Sequence, residues 1–405
     1  VLTVLDVNNF WSPTGGGVRR YELEKARVLG ARDDVRFVFA LPGKTTKREQ
    51  ISENVVFEHI GDSVPSRGQY RNIVISRGLR RVVERHRPDV IECGSPIFLP
   101  PLVRLAAAAI DPAPALVGFW HADFPRTYTG LGMRLLHPAL EPYGEQFGWW
   151  WMRRAFRRFD AIFVASRWVG RNLQRNGLER LYYTPLGVDT DTFSPQRRDP
   201  ELVARFRGGA SDRAILLFPH RFSEEKGLRN LLSAYAILRE RVSPVPALVF
   251  AGTGPEQDLV EQAAREHDHV HFVGYLDSRE QLAAHFASCD ICPCLSKFET
   301  FGLSTAEALA SGLSVVAANE GCAGELVEDC EGGLTVPYND APALAEAIAS
   351  LIEDGQFEAR AQRGVAYAKQ LSWDATFERE LRFYREIIER KRGGLPVETG
   401  FHGLG

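Results

Sequence analysis

No apolar run in this chain approaches the roughly 20 residues that a membrane-spanning helix requires, and no signal-peptide pattern opens it. Cysteine is scarce. The six present are irregularly spaced, which excludes a disulfide framework and makes a reducing cytoplasm the expected compartment. No repeat of fixed period and no low-complexity tract is found. Net charge is only −3, and nucleic acid is not an expected partner. That near-balance conceals an asymmetry. Residues 1–195 hold 27 Lys and Arg against 20 Asp and Glu, or +7, and the remainder holds 22 against 32, or −10. A basic first half suits an anionic partner, such as a phosphate-bearing lipid or the inner membrane face; scattered surface charge is the equal alternative.

What the chain does contain is the composition of an ordinary globular protein, 44% hydrophobic and 25% charged, and a length of 405 residues that calls for at least two domains. Short apolar runs recur, separated by turns and helical stretches: "VLTVLDV", "VRFVFAL", "RPDVIECG", "PALVGFWH", "FDAIFVAS" and "LYYTPLG". Such alternation predicts a parallel sheet covered on both faces. The rhythm restarts after "GVDTDTFSPQRRDPE" with "AILLFPHRF", "ALVFAGTG", "HVHFVGY", "DICPCLS", "LSVVAAN" and "GGLTVPY". The expected organisation is two doubly wound α/β domains, 1–193 and 194–375. A long amphipathic helix over 376–392 follows, and then a flexible glycine-rich tail over 393–405. Ligands of open α/β sheets bind outside the carboxyl ends of the strands, so function belongs in the loops after strands.

Three such loops in the second domain carry chemistry. "FPHRFSEEKG" presents Arg221 and Lys226, two cations suited to a diphosphate. "FAGTGPE" offers Gly252 and Gly254 for close backbone approach but lacks the third glycine of a dinucleotide fingerprint, so a nicotinamide cofactor is not indicated. "SKFETFGLSTAEALASG" places Gly302 and Leu303 in the first turn of a helix, where unpaired N–H groups form an anion site. Glu307 lies about one turn deeper, roughly 6–8 Å along the axis, within reach of sugar hydroxyls. Helix-dipole stabilisation by Glu299 and a satisfied core carboxylate at Glu307 are the alternative explanation.

These residues resemble the retaining nucleotide-sugar glycosyltransferases of the GT-B fold, in the family 4 group that contains glycogen synthase and the phosphatidylinositol mannosyltransferases. The carrying signature runs Glu299-Thr-Phe-Gly-Leu-Ser-Thr-Ala-Glu307-Ala-Leu-Ala-Ser-Gly312-Leu-Ser-Val-Val-Ala317, with Ser314 in place of the usual proline. "TGGGVRRY", "HADFP", "TPLGVDTDTFSP", "HRFSEEKG", "AGTGPE" and "LSWDATFERELRFYREI" match the family in order and spacing. The resemblance implies two Rossmann-like domains facing across a cleft, with the last helix crossing back to the first. It also implies transfer of a hexose from a UDP- or GDP-sugar to a glycan, lipid-linked or small-molecule acceptor, with retention and without an essential metal or cofactor.

By resemblance, Arg221, Lys226 and the segment Phe301, Gly302 and Leu303 hold the donor diphosphate, with Gly252 and Gly254 alongside. Glu307 holds the ribose and Glu299 the transferred sugar. His121 sits at the reacting centre, with Asp123 orienting it or starting the next turn. Gly16 and Gly17 let the first-domain loop approach. Another enzyme of the same architecture (an epimerase or a phosphorylase) and a non-catalytic sugar-nucleotide-binding subunit are the alternatives.

Other motifs are weaker. "PGKTT" at 42–46 lacks the P-loop glycine, since position 38 is valine. Asp189-x-Asp191 mimics a metal-binding pair but lies in a linker-like turn. His285, Cys289, Cys292 and Cys294 resemble a zinc cluster, but they run into a buried strand whose alternate residues face opposite ways, which favours core cysteines. In "FGWWWMRRAFRRF", Trp149, Met152, Phe156 and Phe159 share one helical face with arginines opposite or flanking. That pattern fits either a core-facing helix or a peripheral membrane contact.

Overall fold

The computed structural model of the chain describes residues 1–12, 16–66, 69–395 and 399–403. Two compact units emerge, Val1–Leu186 with Trp373–Gly405, and Gly187–Ser372. The first crossing precedes the expected 193/194 boundary because the "GVDTDTF" turn bonds into the second unit. There Val188 N donates to Leu371 O, and Asp189 pairs with Arg279 at 3.1 Å.

The first unit contains β1 (Leu2–Val7), β2 (Val35–Pro42), β3 (Lys47–Ser52) and β4 (Val55–Ile60), with β5 (Ser63–Pro65) and β6 (Arg71–Ile73) forming a separate hairpin. β7 (Val90–Cys93), β8 (Ala115–Phe119), β9 (Ala161–Val164) and β10 (Leu181–Tyr183) follow. The main sheet runs from the Phe401–His402 segment through β10-β9-β8-β7-β1-β2-β4 to β3. Its central strands, "VIEC", "ALVGF" and "AIFV", are buried at every position, as a parallel sheet with two covered faces demands. β3, "KREQIS", is polar and exposed and pairs antiparallel with β4. A charged edge of this kind discourages pairing with other chains.

The second unit is one parallel sheet of β11 (Ile215–Phe218), β12 (Ala247–Ala251), β13 (Val270–Gly274), β14 (Ile291–Cys294), β15 (Ser314–Ala318) and β16 (Gly333–Val336), in the order β13-β12-β11-β14-β15-β16. Strand order reverses between β11 and β14 here, and between β1 and β7 in the first unit. Both are topological switch points, where outgoing loops diverge and leave a crevice.

A buried ammonium organises the first unit. Lys25, on the helix Gly17–Gly30, is fully buried and lies 2.8 Å from Asp6, 3.3 Å from Glu92 and 3.2 Å from Glu380. It also donates to the hydroxyls of Tyr384 (2.8 Å) and Tyr21 (3.0 Å). Glu380 and Tyr384 belong to the helix Trp373–Arg392, which is thereby pinned to β1 and β7. The far end of that helix is held by Lys391 against Asp160 and by Arg392 against Asp89.

One expectation changes, and one open alternative is decided for the core-facing face. The 393–405 tail is not loose throughout, because Phe401 and His402 extend the sheet beside Leu181 and Tyr182. A side chain at Gly170 would collide with the Phe401 ring, so glycine there makes room for the tail to dock. In the helix Glu141–Phe156, Trp149, Met152 and Phe156 are buried, as is Phe159 beyond it, and all four belong to the core. The apolar face singled out in the sequence is therefore the inward one. The exposed face instead carries Tyr143, Phe147 and Trp150, with Arg153 and Arg154 following.

Removing the central cation leaves buried carboxylates without a partner. Lys25→Ala is expected to destabilise the first unit by about 3–5 kcal/mol, read by urea denaturation. Stability also has a defined pH dependence. Burial, only partly offset by Lys25, pushes Glu22 up to about 8 and Glu380 up to about 7. The folded state then binds more protons than the unfolded state between the ordinary carboxylate range and those values. Stability should fall as pH rises through that window and level off above it, measured as the urea midpoint at pH 5, 7 and 9.

Candidate functional site

In the second unit the site is built at the switch point. β11 ends at Phe218, and its loop presents His220 and Arg221 before a short turn, Glu224–Lys226. Gly227 adopts φ +77, and a side chain there would press on Leu295 just past β14. The bend therefore brings Lys226 against the neighbouring loop. The loop after β12 zips onto the same segment: Phe222 N donates to Thr253 O (3.1 Å), and Glu256 N donates to Phe222 O (3.0 Å). Added side chains at Gly252 and Gly254 would lie 2.2 Å from the carbonyl oxygens of His220 and Phe222, respectively. These glycines thus serve the packing of two protein loops.

From the other side, β14 leads through Ser296 to Glu299, Phe301 and Gly302. Gly302, at φ +88, precedes the helix Leu303–Ala310 with no side chain capping its first turn. The N–H groups of that turn have no helical acceptor, which favours an anion. Glu307 is half-buried one turn inside the helix. Phe301 is buried.

Lys226 and Glu299 meet directly, as a hydrogen-bonded ion pair. Desolvation alone would pull the Lys226 ammonium down, but attraction to Glu299 and the hydrogen bond it donates to that carboxylate outweigh it and leave its pKa raised. Attraction from Lys226 is the main reason the Glu299 carboxyl lies below its ordinary value, against desolvation. Both are therefore charged at neutral pH. Together with His220, Cys294, Ser296, Gly302, Ser304, Thr305 and Ala323 they line a pocket. Arg221, next in sequence to His220, is exposed and is not among the residues that line this pocket.

In the first unit, His121 follows β8. Its ring stacks on Phe119 at 4.2 Å and meets Tyr21 edge-on at 5.0 Å. Burial, reinforced by the Lys25 charge, pushes the imidazole down to about 3, so it is neutral at physiological pH. Asp123 does not serve as an evident orienting group; its partner is Arg126 at 3.7 Å. Gly16 and Gly17 are exposed at the start of the first helix, while Thr14 and Gly15 of the same motif lie outside the described residues.

Sequence reasoning passed over His220, Ser296 and Thr305. His220 sits inside the quoted "HRFSEEKG" motif, and only the pairing of β11 with β14 reveals that it faces the same pocket. Asp189 pairs with Arg279 and accepts hydrogen bonds from Thr192 within its turn. "PGKTT" contains a tight turn, where a side chain at Gly43 would strike Thr45 O and the His59 side chain.

Comparison with known proteins decides the class. The family model for glycosyltransferase family 4 matches residues 15–192, and that for glycosyl transferases group 1 matches residues 203–370. The chain is a GT-B glycosyltransferase. Its reaction is sugar transfer from a nucleotide-sugar donor to an acceptor. This glycosyltransferase is 27% identical over 356 residues to the GDP-mannose-dependent alpha-(1-6)-phosphatidylinositol dimannoside mannosyltransferase of Mycobacterium tuberculosis, covering 87% of this chain and 88% of that protein. It is 36% identical over 291 residues to a glycogen synthase of the same species, covering 70% and 64%. Among solved structures, a sucrose-phosphate synthase from Thermosynechococcus elongatus superposes with a TM-score of 0.76 at 19% identity, covering 96% of this chain and 100% of that one. At that identity the likeness concerns the fold.

The glycine at 254 is the sharpest steric constraint on the site. Gly254→Ala must part the loops after β11 and β12, and a loss of about 1–3 kcal/mol is expected, read as a lowered melting temperature. Nucleotide affinity should fall with it.

Proposed function

We propose that the chain is a retaining hexosyltransferase that binds its donor at the β11/β14 switch point. The observation that carries this reading is the Lys226–Glu299 ion pair beside the uncapped first turn of Leu303–Ala310. A nucleoside diphosphate supplies the anion that this arrangement favours. Its diphosphate takes Lys226 and Arg221 and the amides of Gly302 and Leu303, with Gly252 and Gly254 bordering the pocket through the loops they join. Lys226 then exchanges one anionic partner for another, and Glu299 is freed to accept hydrogen bonds from the transferred sugar. Glu307 holds the ribose.

Cations and N–H donors already in place stabilise the charge that grows on the departing diphosphate. His121, neutral as an imidazole, is the catalytic candidate that the first unit contributes, and Gly16 and Gly17 are its candidates for acceptor approach. No step calls on a metal or cofactor.

The mycobacterial relatives named for GDP-mannose and phosphatidylinositol mannosides support a GDP-hexose donor, with a UDP-hexose as the alternative. They also support a lipid-linked acceptor. The exposed residues Tyr143, Phe147 and Trp150 recur at helical spacing and lead into Arg153, Arg154, Arg157 and Arg158. An aromatic stripe followed by a basic one suits peripheral contact with an anionic membrane, and no helix among the described residues is long and apolar enough to cross one.

A thermal-shift panel of GDP, UDP, ADP and their sugars identifies the base, because a ligand that binds only the folded state raises its apparent stability. GDP and GDP-mannose are expected to give the largest shifts, and no shift with any nucleotide would remove the donor assignment. Lys226→Ala and Glu307→Ala should each weaken nucleotide binding by about tenfold or more, on the order of 1.4 kcal/mol, with little change in melting temperature. Calorimetry returning wild-type affinity for both folded variants would sink the assignment of these residues.

A further inference from the structure

Two of the six cysteines lie outside the roles given so far and close to the donor pocket. Cys292 and Cys294 are two positions apart on β14, so their side chains share one face of the strand, and their sulfurs are 3.7 Å apart. The expectation that alternate residues here point opposite ways was wrong for this pair, since alternation separates i from i+1 and unites i with i+2. His285 and Cys289 do not complete the group. His285 Nδ1 bonds to Gln281 O, and the ring lies against Phe206. The imidazole that joins the sulfurs is His220, from the loop after the adjacent strand β11. One ligand atom from each of His220, Cys292 and Cys294 lies within 4.8 Å of the others.

We propose that His220, Cys292 and Cys294 form a binding site for a thiophilic divalent metal ion, of which zinc is the representative, in the wall of the donor pocket. The geometry fits. With Zn–S bonds of about 2.3 Å, two sulfurs on a tetrahedral ion are separated by about 3.8 Å, against the 3.7 Å present. His220 Nε2 lies 3.3 Å from the carbonyl of Pro293. Donation of that N–H leaves the Nδ1 lone pair for the metal, the arrangement in which a backbone carbonyl fixes the ligating tautomer.

Metal binding displaces the protons of the two thiols, which pass to solvent. Because His220 and Cys294 also line the pocket, water or a ligand oxygen there completes a four-coordinate ion. This site is independent of the donor assignment.

The test uses the full chain, reduced, stripped of metal by a chelator and titrated anaerobically with Co²⁺. A sulfur-to-cobalt charge-transfer band saturating at one ion per chain is expected, and added Zn²⁺ should abolish it. X-ray absorption of the zinc-loaded chain should count two sulfurs and at least one imidazole nitrogen. Cys292→Ser and Cys294→Ser should each weaken Zn²⁺ binding more than about tenfold, while Cys322→Ser leaves it unchanged. Absence of the thiolate band, or a zinc spectrum without sulfur neighbours, overturns the proposal. Both readings come from the wild-type chain and stand even if a variant fails to fold. A band that survives in both Cys292→Ser and Cys294→Ser places the ion elsewhere and equally overturns it.

Discussion

A single ammonium, that of Lys25, sits where four parts of the first unit converge. Asp6 comes from the end of β1, Glu92 from β7, Glu380 and Tyr384 from the last helix, and Tyr21 from the turn before Lys25 itself. A charge removed from water is tolerated only if its partners are held in place, and here they are held from several directions at once. Burial is the main force driving Glu22 and Glu380 towards neutrality; Lys25 offsets it only in part, and the neighbouring carboxylates add to it. The same cluster positions Tyr21 beneath His121, and its positive charge helps to keep that imidazole neutral. The structural lock of the unit thus also sets the chemistry of the histidine above it.

The second unit uses an ion pair differently. Lys226 and Glu299 lie at the mouth of a crevice, partly exposed, with side-chain accessibilities of 23% and 28%. Pairs in such settings contribute little to stability. Rigidity comes instead from the backbone around them. The loops after β11 and β12 are bonded to each other, and glycines at 227, 252 and 254 permit approaches that no side chain would allow.

Much of this was readable from the order of the residues. The buried strands of both sheets announced themselves as apolar runs bounded by turns, because a strand covered on both faces has no polar face to show. The polar edge β3 gave no comparable signal: "KREQIS" has neither alternation nor β-branched enrichment, and it is a strand only because β4 lies beside it; the short apolar run Val55-Val56-Phe57 of β4 itself was passed over. The "FGWWWMRRAFRRF" helix was ambiguous for a related reason. Periodicity reveals that a helix has an apolar face, but what that face meets depends on the rest of the fold, here Trp120 and the remainder of the core.

By itself, then, the sequence determined the α/β class, the two-fold restart of the strand pattern, and the Glu299-to-Glu307 and Arg221-to-Lys226 motifs. Each is written in short-range spacing, which the 3.6-residue helix and two-residue strand periods translate directly into geometry. Tertiary structure alone decided which distant groups meet. It brought Glu380 to Lys25, Lys226 to Glu299, and His220 to a cysteine pair on another strand. Strand order in a sheet is not local information. It follows from how crossover connections place β14 beside β11 and β7 beside β1, and the contacts that carry charge and chemistry arise at those two junctions.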